Sequence, residues 1–123
     1  PTSGIFADPL GLATVVLPEG WRERLQPLKD TKGDVCAYCL ELHDTAVSKL
    51  MAGREKDFIF IAGLLEKQLI SLNIFIERAA TIQHTVSTNA LLPRLQKLEK
   101  YLRTELRGID LSSLRTLVSE LKK

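Results

Sequence analysis

Lys49, Arg54 and Asp57 fall close together in VSKLMAGREKDF, residues 47–58, with Glu55 and Lys56 between them and apolar segments on both sides. Lysine and arginine neutralise phosphate oxygens, and a carboxylate can bind a metal or take a proton, so the trio suits a polyanionic ligand with a metal. On one unbroken helix Lys49 and Arg54 would stand about 140° apart and face different ways. A bend at Gly53 removes that obstacle, because the end of one helix and the start of the next would then aim all three side chains into one cleft. A plainer role is open to the same residues. Asp57 would stabilise a helix N-terminus through its dipole and pair with Arg54, while Lys49 snorkels to water.

The elements that must hold this bend follow from hydrophobic periodicity. From Leu42 onward the period changes from about 2 to about 3.6 residues, and no proline occurs until Pro93. A first helix is expected to start near Asp44, an N-cap type of residue, and to bury Val47, Leu50 and Met51 before Gly53 ends it. A second, from about Arg54 to Gln68, is apolar nearly all round in its middle and is expected at the centre of the core. Ser71 caps a third, with Leu72, Phe75, Ile76 and Ala79 inward. After a loop from His84 to Asn89, Asn89 caps a fourth helix with Pro93 in its first turn. There Leu91, Leu95, Leu98, Leu102, Leu106 and Ile109 form one stripe, and Lys97, Lys100, Arg103 and Arg107 lie opposite. Gly108 ends it, Asp110 caps a last helix, and Leu111, Leu114, Leu117 and Leu121 face inward.

Residues 1–41 hold four of the five prolines and short β-type runs. Strands are expected at Ala13 to Leu17, Trp21 to Leu28 and Val35 to Leu40, separated by Pro18-Glu19-Gly20 and by a polar turn containing Gly33. The fold class is therefore mainly α with a small N-terminal antiparallel β portion (α+β): strands over 1–41, and a bundle of about five helices over 42–123.

At 123 residues, 45% hydrophobic and 26% charged, the chain has the composition of one globular domain rather than a disordered or coiled-coil one. The longest apolar run, FIFIAGLL, is too short for a membrane span, so no membrane partner is expected. No basic and apolar leader opens the chain, which leads us to expect a cytoplasmic protein and a truncated or processed chain. Cys36 and Cys39 point to opposite faces of a strand and are expected to be free, buried or half-buried thiols without zinc. His43 and His84 show no metal-ligand spacing and are expected to have structural or surface roles. From Leu91 to the end, eight Lys and Arg face four acids, a local +4 that leaves the remainder at −2. The basic stripe could meet nucleic acid or another anion, but no Trp or Phe interleaves with it, so a solvated face explains it as well.

HDTAVSKLMAGREKDFIFIAGLL, with LPEGWRERL upstream, resembles the downstream half of a bacterial family of nucleotidyltransferase-like proteins of unknown function, distant relatives of the AbiEii-type abortive-infection toxins of toxin–antitoxin systems. K-L-M-A-G-R matches that group at Lys49 and Arg54, and K-D matches it at Asp57; the resemblance covers roughly residues 4–82. It implies that Lys49 and Arg54 are nucleotide-binding, contacting the triphosphate, and that Asp57 is catalytic or positions substrate. It further implies Mg²⁺ and an NTP as cofactors, and a protein or RNA acceptor. The chain has no Gly-Ser motif followed by a DxD pair, the carboxylates that hold Mg²⁺ in such enzymes. The expectation is a C-terminal portion of a nucleotidyltransferase-fold protein, inactive alone, with the strands a remnant of the sheet and a homodimer available through a sheet edge. The rival is a non-enzymatic helical protein-interaction module.

Overall fold

Turn chemistry organises the first third of the chain. In a computed structural model that describes residues 16–84 and 88–123, strand β1 (Gln26–Lys29) pairs antiparallel with β2 (Val35–Cys39). The connection is the expected polar turn: the Asp30 carboxylate accepts from the backbone N–H groups of Lys32 and Asp34, and Gly33 takes the left-handed φ of +88° that favours glycine. The register shifts between Leu28 and Lys29, so that Cys36 is the extra residue of a bulge, its thiol directed at the Leu28 carbonyl. Both cysteines are free. Cys39 is half-buried as expected, but Cys36 is exposed.

The strand expected over Trp21 to Leu28 is only half present. Successive backbone bonds from Trp21 to Pro18, Arg24 to Trp21 and Leu25 to Arg22 wind Trp21–Arg24 into turns, and extended structure begins at Gln26. Alternation misled here because Arg24 is turned back toward the Glu19 carbonyl and Asp44. The strand expected at Ala13 to Leu17 lies mostly outside the described residues; Val16 and Leu17 have no regular structure.

Five α-helices follow among the described residues: α1 (Leu42–Ala52), α2 (Glu55–Glu66), α3 (Leu72–Thr81), α4 (Thr88–Glu105) and α5 (Ser112–Leu121), with a 3-10 turn Ile82–His84 after α3. This is a mainly helical α+β protein. Helix α1 is the hub, packing on α2, α3 and α4, while α5 closes the bundle against α3 and α4. Val47, Leu50, Phe75, Leu91, Leu95, Leu98, Leu102 and Leu114 are fully buried, as the periodicity predicts. Each such side chain contributes about 1.5–3 kcal/mol relative to an exposed one.

Four local expectations are corrected. Helix α1 is capped by Glu41, whose side chain accepts from the N–H groups of His43 and Asp44; Asp44 lies inside the helix and is buried. Helix α2 is not buried all round, because only α1 and α4 pack closely on it, and Ile59 and Phe60 remain exposed. It ends two residues before Gln68, which itself adopts a positive φ of 59° and closes the helix as a glycine would. Helix α4 already runs at Asn89, which puts Pro93 in its second turn; proline brings no N–H there, so the ladder bond to the Asn89 carbonyl is lost. Leu106 and Ile109 continue the stripe as half-buried residues beyond the end of α4.

Candidate functional site

Gly53 makes the bend. It ends α1 with φ +70° and ψ +17°, its N–H bonded to the Lys49 carbonyl, and the chain turns directly into α2. Arg94 of α4 braces the turn from outside: its Nε donates to the Met51 carbonyl at 2.8 Å and its terminal nitrogen to the Ala90 carbonyl at 2.8 Å. A carbonyl left open at the end of α1 thus gains a charged donor, which fixes α1 and α4 together at the junction.

Asp57 caps the start of α2 by accepting from Arg54. The Arg54 backbone N–H donates to Asp57 Oδ2 at 3.0 Å, its Nε donates to the same oxygen at 2.8 Å, and its other guanidinium nitrogen reaches Oδ1 at 3.3 Å. Asp57 is 2% exposed, whereas the Arg54 side chain is 56% exposed, so a buried carboxylate holds a guanidinium at the surface of the helix N-terminus. Burial pushes the Asp57 carboxyl up. The hydrogen bonds from Arg54, its charge and that of Lys49 outweigh burial and hold the pKa below the ordinary carboxylate value. A carboxyl so held is a poor proton acceptor at neutral pH and a good anchor.

Lys49 stands in the last turn of α1, half-buried, its ammonium 5.7 Å from the centre of the Phe60 ring. The bend therefore brings the charges of Lys49 and Arg54 together around Asp57, with Arg54 in direct contact with it. Two cations, Lys49 and Arg54, thus act on a buried carboxylate in the first turn of α2.

A second polar cluster escaped the reading of the sequence. Arg24 holds the buried Asp44 by two bonds of 2.8 Å, and Arg78 of α3 bonds both Asp44, at 3.3 Å, and Glu41. His43 completes it. Its Nε2 accepts from the Ser71 N–H at 2.8 Å, so its Nδ1 carries the proton that meets Glu41 Oε2 at 2.6 Å. Burial raises the Glu41 pKa, but hydrogen bonds from His43 and the Asp44 N–H, with the charge of Arg78, leave it lowered. This cluster ties the turn before β1 to α1 and α3. Of the roles expected for His43, the structural one is observed; the His84 side chain lies outside the described residues. One signal was available: Asp44, Val47 and Leu50 share one face of α1, and an acid on an inward stripe demands a cationic partner.

Among the described residues, no three His, Cys, Asp or Glu side chains gather into a set able to hold a metal ion. The oxygens of Asp57 and Asp44 are bonded to guanidiniums. Nor is any helix of the described residues long and apolar enough to cross a membrane.

Lys97 and Lys100 border a cavity of about 350 Å³ against α2, floored by Phe58 and Tyr101. Arg103 is exposed, 3.7 Å from Glu99, which also receives Arg115 of α5 at 3.1 Å; Arg107 is exposed beyond the helix end.

No curated protein and no solved structure matches the chain. A family model does: the family described as nucleotidyltransferase of unknown function (DUF6036) matches residues 11–104, a span that contains the hairpin, the α1–α2 junction and nearly all of α4. Over three quarters of its length, the chain belongs to this nucleotidyltransferase-like family of unknown function.

Proposed function

We propose that this chain is the helical portion of a nucleotidyltransferase that transfers a nucleoside monophosphate from an NTP, with Mg²⁺, to a protein or RNA acceptor. In this reading the β1–β2 hairpin belongs to the sheet of the transferase fold, and the Mg²⁺ carboxylates come from residues other than those described. Lys49 and Arg54 attract the triphosphate, and Asp57 acts as a positioning residue that keeps the Arg54 guanidinium at the start of α2. One observation carries the proposal. Inside a nucleotidyltransferase family match, a glycine bend brings two cations to a helix N-terminus, the place in a fold best suited to phosphate.

Calorimetric titration of Mg-ATP and Mg-GTP into the protein in its natural full length, beside its Lys49→Ala variant, tests it. The expected result is binding that Lys49→Ala weakens by at least tenfold, about 1.4 kcal/mol. A folded protein that binds neither nucleotide overturns the proposal, and leaves Lys49, Arg54 and Asp57 as a braced helix junction in a protein-interaction module.

A further inference from the structure

The cavity between α2 and α4 has a makeup that nothing at the α1–α2 junction requires. Its floor is aromatic: Phe58 is nearly buried, and its ring centre lies 6.4 Å from that of Tyr101 with the planes tilted by 31°, an arrangement to which a third ring can add by stacking or edge contact. Its rim carries two ammonium groups, Lys97 and Lys100, and two carboxylates, Glu55 and Glu105. Among the described residues no salt bridge joins any of these four, although Asp44, Asp57 and Glu99 all hold arginines. The charges are also ordered in space. Lys97 and Glu105 are eight residues apart on α4, about 12 Å along its axis. Burial raises the pKa of the Tyr101 hydroxyl, and the nearby charges of Glu105 and Glu55 add to the effect, which puts the carboxylates beside the phenol.

An apolar floor between a cationic end and an anionic end selects a ligand of the opposite polarity. A polyphosphate would gain Lys97 and Lys100 but meet two carboxylates, and a polycation would suffer the reverse; a neutral ring would leave all four charges without partners. We infer that this groove binds a small aromatic zwitterion, a free aromatic amino acid or a close analogue. Its ring lies on Phe58 and Tyr101, its carboxylate faces Lys97 and Lys100, and its ammonium faces Glu105 and the Tyr101 ring. At about 350 Å³ the cavity is at the small end of ligand sites, which suits a single ring-bearing molecule. The groove and Lys49 lie on different sides of α2, since Phe60, under the Lys49 ammonium, is about 200° around the helix from Phe58. The inference goes beyond the nucleotide proposal and stands or falls independently of it.

The test is titration of L-tryptophan and L-phenylalanine into the isotope-labelled full chain, followed by amide NMR shifts, with indole and AMP as comparison probes. Saturable shifts are expected at Phe58, Lys97, Tyr101 and Thr104. The surface variants Lys100→Glu and Glu105→Lys, with spectra otherwise unchanged, should each weaken tryptophan by about tenfold, or about 1.4 kcal/mol. Absence of saturable shifts up to about 10 mM, a standard free energy of only about −2.7 kcal/mol, overturns the inference. So does indole binding as tightly as tryptophan, which would make the charges irrelevant. AMP binding more tightly than either amino acid would likewise replace a zwitterion site with an anion site.

Discussion

Replacing Asp44 with alanine removes the acceptor on which two arginines from different parts of the chain converge. Asp44 is fully buried, and its oxygens take two bonds of 2.8 Å from Arg24 and one of 3.3 Å from Arg78. Truncating one partner of a buried ion pair costs about 3–5 kcal/mol, mostly because the opposite charge stays behind without compensation. Two features place this site at the lower end. The Arg24 and Arg78 side chains are 27% and 20% exposed and can reach water, and Arg78 retains Glu41. The expected loss is therefore about 3 kcal/mol. Asp57→Ala is the internal comparison: it removes a helix cap whose partner is already in water, at a cost of about 1 kcal/mol.

Urea unfolding followed by far-ultraviolet circular dichroism separates the two variants. With a slope of about 1.5 kcal/mol per molar urea, Asp44→Ala lowers the midpoint by about 2 M and Asp57→Ala by less than about 1 M. Should Asp44→Ala prove too unstable to fold, Arg24→Ala and Asp44→Asn probe the same pair more gently, and the Arg24→Ala/Asp44→Asn double variant should cost about 1–2 kcal/mol less than the sum of the singles. A midpoint for Asp44→Ala no lower than that for Asp57→Ala, or strictly additive singles, would refute the claim that this cluster locks the turn before β1 onto α1 and α3.

Gly53→Ala forces a side chain into a left-handed conformation, with its Cβ 3.1 Å from Arg94 Nε, and should cost about 1–2 kcal/mol by thermal unfolding; an unchanged transition would contradict the bend. Glu41 and Asp57 both have folded-state pKa values below their ordinary ones, so the stability they confer is complete above the unfolded-state values near 4 and is lost as pH falls through the lower folded-state values. The urea midpoint should hold from about pH 7 to pH 5 and drop steadily below about pH 4, and Arg54→Ala should shrink the Asp57 share of that drop. His43→Ala deprives the Ser71 N–H of its acceptor and Glu41 of a donor, for a loss of about 1 kcal/mol, visible as faster hydrogen exchange at Ser71.

The helices were legible because their evidence is local. Leu91, Leu95, Leu98 and Leu102 recur at one helical spacing and are all fully buried, and Ser71 accepts from the Ile74 N–H as a cap should. Where the deciding partner is distant, local evidence pointed the wrong way. Asp44 looked like a cap because aspartate near a helix start usually is one; its actual partners are 20 and 34 residues away, and the cap fell to Glu41. Tyr101 gains its aromatic neighbour, Phe58, only in the fold, 43 residues away in the chain.

Local legibility has its own cost at the candidate phosphate site. Arg54 and Asp57 are three residues apart, so their pairing is what helix geometry alone produces, and the cap requires the same residue types as an anion site. Stability measurements on these two residues therefore cannot distinguish the roles, since either predicts a loss near 1 kcal/mol. Lys49 can. It has no part in the cap, and its ammonium rests on Phe60, so Lys49→Ala should change stability by no more than about 1 kcal/mol. A large effect of that substitution on nucleotide affinity, with little on unfolding, is an outcome that phosphate contact explains and a helix cap does not.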